Sequence, residues 1–386
     1  MPKINLAYVI TKLELGGAQK QLLSLISNLD KQKYNVFLFT AKEGLLIPEA
    51  SLINGVIFKK SKFLERLINP LKDILALGEI YCFLKKHRIQ IVHTHSSKAG
   101  ILGRLAAKLA KTTVIIHTVH GWSFNGYQSA IIKALYVFLE KICATFTSKI
   151  IVVSEFDKDK GLKSLIGCEK QYCLIRYGLD PGSFKDVGKR HELRKFLGVS
   201  DADLTVGMVA CFKPQKAPLD FIELASLVKK NFPNVKFVLV GDGQLRKKIE
   251  VRIKQLKLEG CIILMGWRND IPRILSGLDV LVLTSLWEGL PIVVLEAIAA
   301  GVALLATDTG GIKEVVINGK TGYLAAPHDI RGMQDRLGEL LSSAKKREEF
   351  VRQARLVIEA EEFLLDSMFK NTNQLYSNLW EESRNA

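Results

Sequence analysis

Two glutamates eight positions apart, Glu288 and Glu296, lie in the most informative stretch of the chain, Thr284 to Pro327. Between Pro291 and Ala306 the only charged residue is Glu296. Pro291 suits the first position of a helix, and the apolar residues after it predict a helix buried on most sides. A lone carboxylate there is costly unless something hydrogen-bonds it. A pair of ligand hydroxyls, such as those of a ribose, would do so. A glutamate near a helix start that faces water would instead answer the helix dipole. Glu288 falls at an expected strand end and is followed by Gly289 and Leu290. Backbone N–H groups at the start of the 291–300 helix would point into the same opening, a ready site for a pyrophosphate. A glycine beside it lets a ligand approach the backbone.

Other chemistry-bearing residues also sit at junctions between apolar runs and helical stretches. Gly16 and Gly17, in LELGGAQKQ, either open the backbone to an anion at a helix start or make a plain tight turn. Gly241, Asp242 and Gly243 follow VKFVLV as ordinary turn chemistry. Trp267 and Arg268 follow CIILMG, at a binding edge or in a surface loop. His120 closes TVIIHTVHG. His93 and His95 alternate with Thr94 and so share a face. Their spacing suits a metal, but no third ligand accompanies them; they remain cleft-lining candidates and no metal site is expected.

The elements that must position these residues alternate short β-branched runs with helical stretches, the pattern of parallel sheets with crossover helices. KINLAYVI, NVFLFTA, IQIVHTH, TVIIHTVHG and KIIVVSE read as strands of a first unit. After Asp180 the texture turns polar and glycine-punctuated, which marks a linker and a short helix. LTVGMVACF, VKFVLVGDG, CIILMGW, DVLVLTS and VALLATD then form a second series. The expected fold is α/β: two facing Rossmann-like domains with an interdomain cleft. The domains are expected at 1–185 and 186–360, with 361–386 as a helix crossing back to the first. Helices beyond about residue 345 have the length to make that return.

The chain has 386 residues, 48% hydrophobic and 24% charged, a balance that excludes a disordered chain and accommodates two cores. No apolar run reaches a membrane span; residues 127–148 come closest and are interrupted by Lys133, Glu140 and Lys141. The start, MPKINLAYVI, does not read as a secretory signal. Six scattered cysteines without a CxxC pair suit a reducing cytoplasm. The net charge is +16, and residues 1–186 hold 27 Lys/Arg against 14 Asp/Glu, the remainder 28 against 25. That asymmetry points the first half at an anionic partner or marks a solvated basic surface. No nucleic-acid recognition motif is present, and a nucleic-acid partner is not expected. The stretch KKSKFLERLINPLKDIL sets Lys59, Lys60, Lys62 and Arg66 among apolar residues. It fits either an interfacial element on an anionic membrane or a helix packed on its own sheet.

The run EGLPIVVLEAIAAG, followed by DTGG and NGKTGYL, resembles the signature of family 4 retaining glycosyltransferases of the GT-B fold, and the N-terminal motifs fit in order. The resemblance implies that Glu288 contacts the donor sugar, Glu296 the ribose, and the amides near Gly289 and Leu290 the diphosphate. It puts the Gly16–Gly17 loop at the donor phosphate and acceptor, His120 on the donor sugar, Gly241–Gly243 beside the nucleotide and Trp267–Arg268 at the base. The family's arginine and lysine, spaced by five, fall on Cys211 and Lys216; Lys213 is the nearby substitute, without the two-pronged guanidinium. His120, Lys216 and Glu288 are therefore the catalytic candidates. The implied activity is transfer of a hexose or N-acetylhexosamine from a nucleoside-diphosphate sugar, UDP-linked by preference, without metal or other cofactor. The expected acceptor is a saccharide, lipid-linked through polyprenyl diphosphate, in cell-envelope polysaccharide synthesis. The basic first domain, with His95 and Lys59 to Arg66, would face acceptor and membrane at the inner, cytoplasmic side. A sugar-nucleotide epimerase of the same architecture is the competing expectation. Cys211 keeps open a further one, a non-catalytic partner that retains the fold.

Overall fold

The computed structural model describes residues 2–184, 189–200 and 203–385. It divides into two compact units, Met1–Gly178 with Asp366–Ala386, and Leu179–Leu365. The boundary expected at 185/186 lies outside the described residues.

In the first unit, strands β1 (Ile4–Ile10), β2 (Tyr34–Ala41), β3 (Val56–Ser61), β4 (Ile91–His95), β5 (Val114–Val119), β6 (Lys149–Val152) and β7 (Tyr172–Leu174) form a parallel sheet. Its order is β3-β2-β1-β4-β5-β6-β7. β1 reads INLAYVI without polar alternation because both its faces are covered; Leu6, Ala7, Tyr8 and Val9 have no exposure. The order reverses between β1 and β4, where open α/β sheets take ligands beyond the strand carboxyl ends.

The second unit repeats the scheme with β8 (Thr205–Val209), β9 (Lys236–Val240), β10 (Ile262–Gly266), β11 (Val280–Leu283), β12 (Ala303–Thr307) and β13 (Tyr323–Ala325). The order is β10-β9-β8-β11-β12-β13, also parallel, with its reversal between β8 and β11. Phe212, Phe221, Phe237, Leu239 and Met333 fill its core.

Three expectations are corrected. The stretch from Lys59 is not one amphipathic element. Lys59 and Lys60 belong to the edge strand β3, Lys62 and Arg66 to a loop, and a helix starts afresh at Pro70 (Pro70–Lys86) with Asn69 capping it. The β-branched start VIF draws the first lysines into the sheet, and the Asn–Pro pair sets a new helix start. Pro291 is the cap and not the first helical residue: the helix spans Ile292–Ala299, and the Pro291 carbonyl accepts from the Val294 N–H at 3.1 Å. Of the helices beyond residue 345, Ala344–Ile358 stays with the second unit, against the helix Ile292–Ala299 and β12. Only Leu365–Asn385 joins the first unit. There the fully buried Tyr376 places its hydroxyl 3.1 Å from the Tyr8 hydroxyl and 2.5 Å from His93 Nδ1.

Candidate active site

In the second unit, β8 and β11 are neighbours at the strand-order reversal, and the loops leaving their carboxyl ends carry Lys216 and Glu288. Glu288 lies past the end of β11 rather than at it, in a loop tied down by hydroxyls. Thr284 Oγ1 donates to the carbonyls of Lys216 and Ala217, both at 2.9 Å, Thr307 Oγ1 to Ser285 at 2.5 Å, and Thr309 Oγ1 to Leu286 at 3.1 Å. Gln215 joins the two loops: its carbonyl accepts from the Leu286 N–H at 2.7 Å and its amide donates to the Trp287 carbonyl at 2.8 Å. So held, the buried Glu288 carboxylate accepts from Ser285 Oγ at 2.6 Å and forms an ion pair with Lys216 Nζ, the same oxygen serving both. Gly310, at φ +61°, closes the loop from behind; a Cβ there would stand 2.1 Å from the Glu288 carbonyl oxygen.

The other candidates of this unit line the same carboxyl edge. Gly289 and Leu290 are buried and lead into the helix Ile292–Ala299, on which Glu296 is half-buried among otherwise buried apolar residues. Lys213 and Cys211 flank Phe212 in the loop after β8, half-buried. The Gly241–Asp242–Gly243 turn after β9 packs against that loop: Phe212 N–H donates to the Asp242 carbonyl at 2.8 Å. Gly241, at φ +127°, is required because a Cβ would stand 1.9 Å from the Ala210 carbonyl oxygen. Its N–H bonds the Gly266 carbonyl at 2.8 Å, which brings the Trp267–Arg268 loop alongside. Trp267 is exposed, and Arg268 makes a two-pronged pair with Asp270 at 2.9 and 2.7 Å.

In the first unit, Gly16 precedes the helix Gly17–Ser27 in extended backbone, so its glycine leaves room rather than supplying an unusual φ; Gln19 Oε1 stands 2.7 Å from where a Cβ would be. Across the β1/β4 reversal, Thr11 Oγ1 and Ser96 Oγ are 2.7 Å apart. Beside them runs a relay of rings: Tyr177 hydroxyl to His120 Nδ1 at 2.7 Å, then His120 Nε2 to His95 Nδ1 at 2.9 Å. His95 Nε2 is buried without a hydrogen-bond partner among the described residues. His93, 4.2 Å ring to ring from His95, bonds Thr118 and Tyr376 through its two nitrogens. Burial holds His93 down at about 3 and His120 at about 4, and drops His95 and His117 well below the ordinary 6.5. All four rings are therefore neutral at pH 7. Both nitrogens of His120 are engaged by unit-internal partners, so a sugar hydroxyl reaches this imidazole only by exchanging one of those bonds.

The basic candidates are spread over β3 and the loop after it. Lys59 pairs with Glu79 at 3.7 Å and Arg66 with Glu14 at 3.2 Å, while Lys60 and Lys62 are exposed. Residues not foreseen are Ser285, Gln215 and Gly310 around Glu288, and Tyr177 behind His120. Ser285 carried a signal, since it stands three positions before Glu288 in a loop; Tyr177 carried none, being 57 positions from its partner.

Two Rossmann-type sheets, with a lysine–carboxylate pair and a helix start at a switch point, place this chain among the doubly wound α/β proteins whose ligands sit beyond the strand carboxyl ends. Sequence comparison narrows that class. Residues 15–181 match the family described as Glycosyltransferase Family 4, and residues 189–357 that described as Glycosyl transferases group 1. The chain is 35% identical over 332 residues to the UDP-Gal:alpha-D-GlcNAc-diphosphoundecaprenol alpha-1,3-galactosyltransferase of Escherichia coli, covering 85% of each. It is 27% identical to the N,N'-diacetylbacillosaminyl-diphospho-undecaprenol alpha-1,3-N-acetylgalactosaminyltransferase of Campylobacter jejuni, over 76% of this chain and 78% of that one. Among solved structures, Anabaena Alr3699/HepE in complex with UDP-glucose shares the fold, with a TM-score of 0.83 at 19% identity, covering 97% of this chain and 100% of that chain. The chain belongs to the family 4 glycosyltransferases of the GT-B fold and is a glycosyltransferase of the bacterial polysaccharide type.

Proposed function

We propose that this enzyme transfers a hexose or N-acetylhexosamine, with galactose the first candidate, from a UDP-sugar to a polyprenyl-diphosphate-linked saccharide, with retained anomeric configuration. The observation that carries this reading is the Lys216–Glu288–Ser285 cluster at the β8/β11 switch point, in a chain so similar to a galactosyltransferase acting on a lipid diphosphate. In this reading the second unit holds the donor. Glu288, fixed by Ser285 and Lys216, addresses the sugar; Glu296 takes the ribose hydroxyls; the amides from Gly289 to the start of the helix Ile292–Ala299 take the diphosphate.

As the bond between the sugar C1 and the phosphate oxygen breaks, charge gathers on UDP. Lys216 Nζ, supported by Lys213 and the helix start, meets that charge without a metal ion, and one such contact is worth about 3–4 kcal/mol, or 10²–10³ in rate. The acceptor oxygen bonds C1 on the face the UDP leaves, and its proton passes to the departing diphosphate. The relay Tyr177–His120–His95 stays neutral at working pH and offers hydrogen bonds rather than charge. Lys213 takes up the charge that Cys211 does not carry. The protein works at the inner face of the cytoplasmic membrane. The six cysteines, none in a disulfide, suit a reducing compartment, and no helix of the described residues is long and apolar enough to cross a membrane. The test is transfer of galactose from UDP-galactose to a synthetic GlcNAc-diphosphoprenol, read by product mass. UDP-sugar turnover without an acceptor would favour an epimerase, and nucleotide binding without any product a non-catalytic partner.

A further inference from the structure

Tyr177 lies three residues past the end of β7, on the segment by which the chain leaves the first unit. Its backbone is held on both sides. The Ile175 N–H donates to the Val152 carbonyl of β6 at 3.0 Å. The Gly178 carbonyl accepts from Gln21 Nε2, on the helix Gly17–Ser27, at 2.9 Å. The Gly178 N–H meets Met368 Sδ, on the helix Leu365–Asn385, at 3.4 Å. So placed, the buried Tyr177 ring lies 20° from parallel to the His120 ring, 5.7 Å between centres, and His120 stands at 19° and 5.2 Å from His95. A buried tyrosine hydroxyl needs a partner, and a backbone carbonyl suffices: Tyr172 uses that of Ile166 at 2.7 Å. Tyr177 instead addresses a ring nitrogen, His120 Nδ1, at 2.7 Å.

A neutral imidazole carries one hydrogen between two nitrogens, and its partners decide which nitrogen holds it. Where a partner only accepts, the choice is fixed: His117 Nδ1 stands 3.1 Å from the Thr94 carbonyl and so carries the hydrogen. His93 touches the hydroxyls of Thr118 and Tyr376, either of which donates or accepts, so these partners leave its choice open. His120 is decided by the far end of its relay. If Tyr177 donates to His120 Nδ1, then His120 Nε2–H donates to His95 Nδ1, and the hydrogen of His95 sits on Nε2, buried with no partner among the described residues. In the reverse order His95 Nδ1–H donates to His120 Nε2 and His120 Nδ1–H donates to the Tyr177 oxygen, which leaves only a lone pair idle at His95 Nε2. A buried N–H without an acceptor is the rarer of the two in folded proteins. Burial keeps both rings neutral at pH 7, so neither carries a second hydrogen.

We infer that Tyr177 is a positioning residue: by accepting from Nδ1 it fixes His120 in its Nδ1–H form and leaves Nε2 as an acceptor, so that the group His120 takes from the substrate is a sugar hydroxyl that donates, in the place of His95. This rests on the transfer reaction proposed above and on His120 addressing the transferred sugar. The exchange of the His95 N–H for a sugar O–H leaves the tautomer untouched. The ring keeps its angle, because Tyr177 still holds the other nitrogen. A phosphate or carbonyl oxygen has no hydrogen to give and finds no bond at Nε2.

The test is Tyr177→Phe, which removes one oxygen and keeps the ring. Tyr172→Phe is the control, since it also removes a buried hydroxyl, one bonded to a backbone carbonyl. The imidazole nitrogen shifts are read by NMR on the full chain without substrate, with His120 assigned by its absence in His120→Gln. Sugar transfer from UDP-galactose and the rise in melting temperature with UDP are measured on the same proteins.

The expected result is His120 protonated at Nδ1 in wild type and in Tyr172→Phe, and the Nε2–H form appearing in Tyr177→Phe. Turnover is expected to fall about tenfold in Tyr177→Phe, the worth of one hydrogen bond, and to hold in Tyr172→Phe. The effect of UDP, which lacks the sugar, is expected to be the same in all three. His120 protonated at Nε2 in wild type, or a tautomer that Tyr177→Phe leaves unchanged, would overturn the inference. So would a turnover in Tyr177→Phe equal to that of wild type, or an equal loss in Tyr172→Phe, since the hydroxyl would then serve packing alone. The two ideas fail separately. The Nδ1–H form in a wild type that transfers no sugar refutes the reaction above alone, and transfer by an enzyme in the Nε2–H form refutes this inference alone.

Discussion

Replacing Lys216 by Met keeps the length of the side chain and removes its charge. Glu288 Oε1 then keeps Ser285 Oγ as its donor, in a site where the Glu288 side chain is 6% and the Lys216 side chain 18% exposed. Breaking a buried pair from one side costs about 3–5 kcal/mol, and the partial exposure of Lys216 lowers that to about 2–4 kcal/mol. Glu288→Gln is the milder change, about 1–2 kcal/mol, because the Lys216 ammonium can turn toward water. The double variant removes both charges and is expected to be more stable than the sum of the singles by at least about 1 kcal/mol. Function behaves otherwise. Lys216→Met is expected to lower turnover by about 10²–10³, and restoring stability in the double variant is expected to restore none of it. Urea unfolding and UDP release, measured on all four proteins, read the two effects separately. Additive stabilities together with a turnover that survives Lys216→Met would refute the reasoning, since Lys216 would then neither pair with Glu288 nor meet the leaving group.

Acidification tests the buried histidines. His93 is held at about 3 against an ordinary 6.5, so below 6.5 the unfolded chain takes up a proton that the folded chain refuses, and stability falls with pH. At pH 5 His93 alone is expected to cost about 2 kcal/mol, with His120 adding to it, and a urea midpoint equal at pH 7.5 and pH 5 would contradict this. Gly310→Ala is expected to cost about 2–3 kcal/mol, because its Cβ would meet the Glu288 carbonyl at 2.1 Å in a left-handed residue. Gly319→Ala, also left-handed but with nothing within 4 Å, is the control and is expected to cost about 1 kcal/mol by thermal melting.

Much of this arrangement is legible in the residues. Runs such as NLAYVI and VKFVLV are buried on both faces, so their lack of alternation marks central parallel strands directly. The apolar run around Glu296 and the glycine after Glu288 likewise mark the helix Ile292–Ala299 and the loop before it. β3 and β7 escaped because a strand of six residues with two lysines, or of three residues, has little pattern to read. Pro291 missed its position by one residue, since cap and first turn differ only in ψ. The relay Tyr177–His120–His95 joins residues far apart in the chain, and only the sheet brings them together. AIIKALYVFLEKICA shows how burial escapes a sequence. Its apolar residues announce a helix, and nothing in them tells that Ile131 and Phe138 face outward while Glu140 is buried.

The decisive experiment gives the purified enzyme UDP-galactose, UDP-N-acetylgalactosamine or GDP-mannose with a synthetic GlcNAc-diphosphoprenol, beside the Lys216→Met variant. Growth of the acceptor by one sugar from a UDP donor, at a rate at least a hundredfold lower in the variant, is the expected result. Growth from GDP-mannose alone, equal growth with the variant, or no growth from any donor while UDP still raises the melting temperature would contradict it.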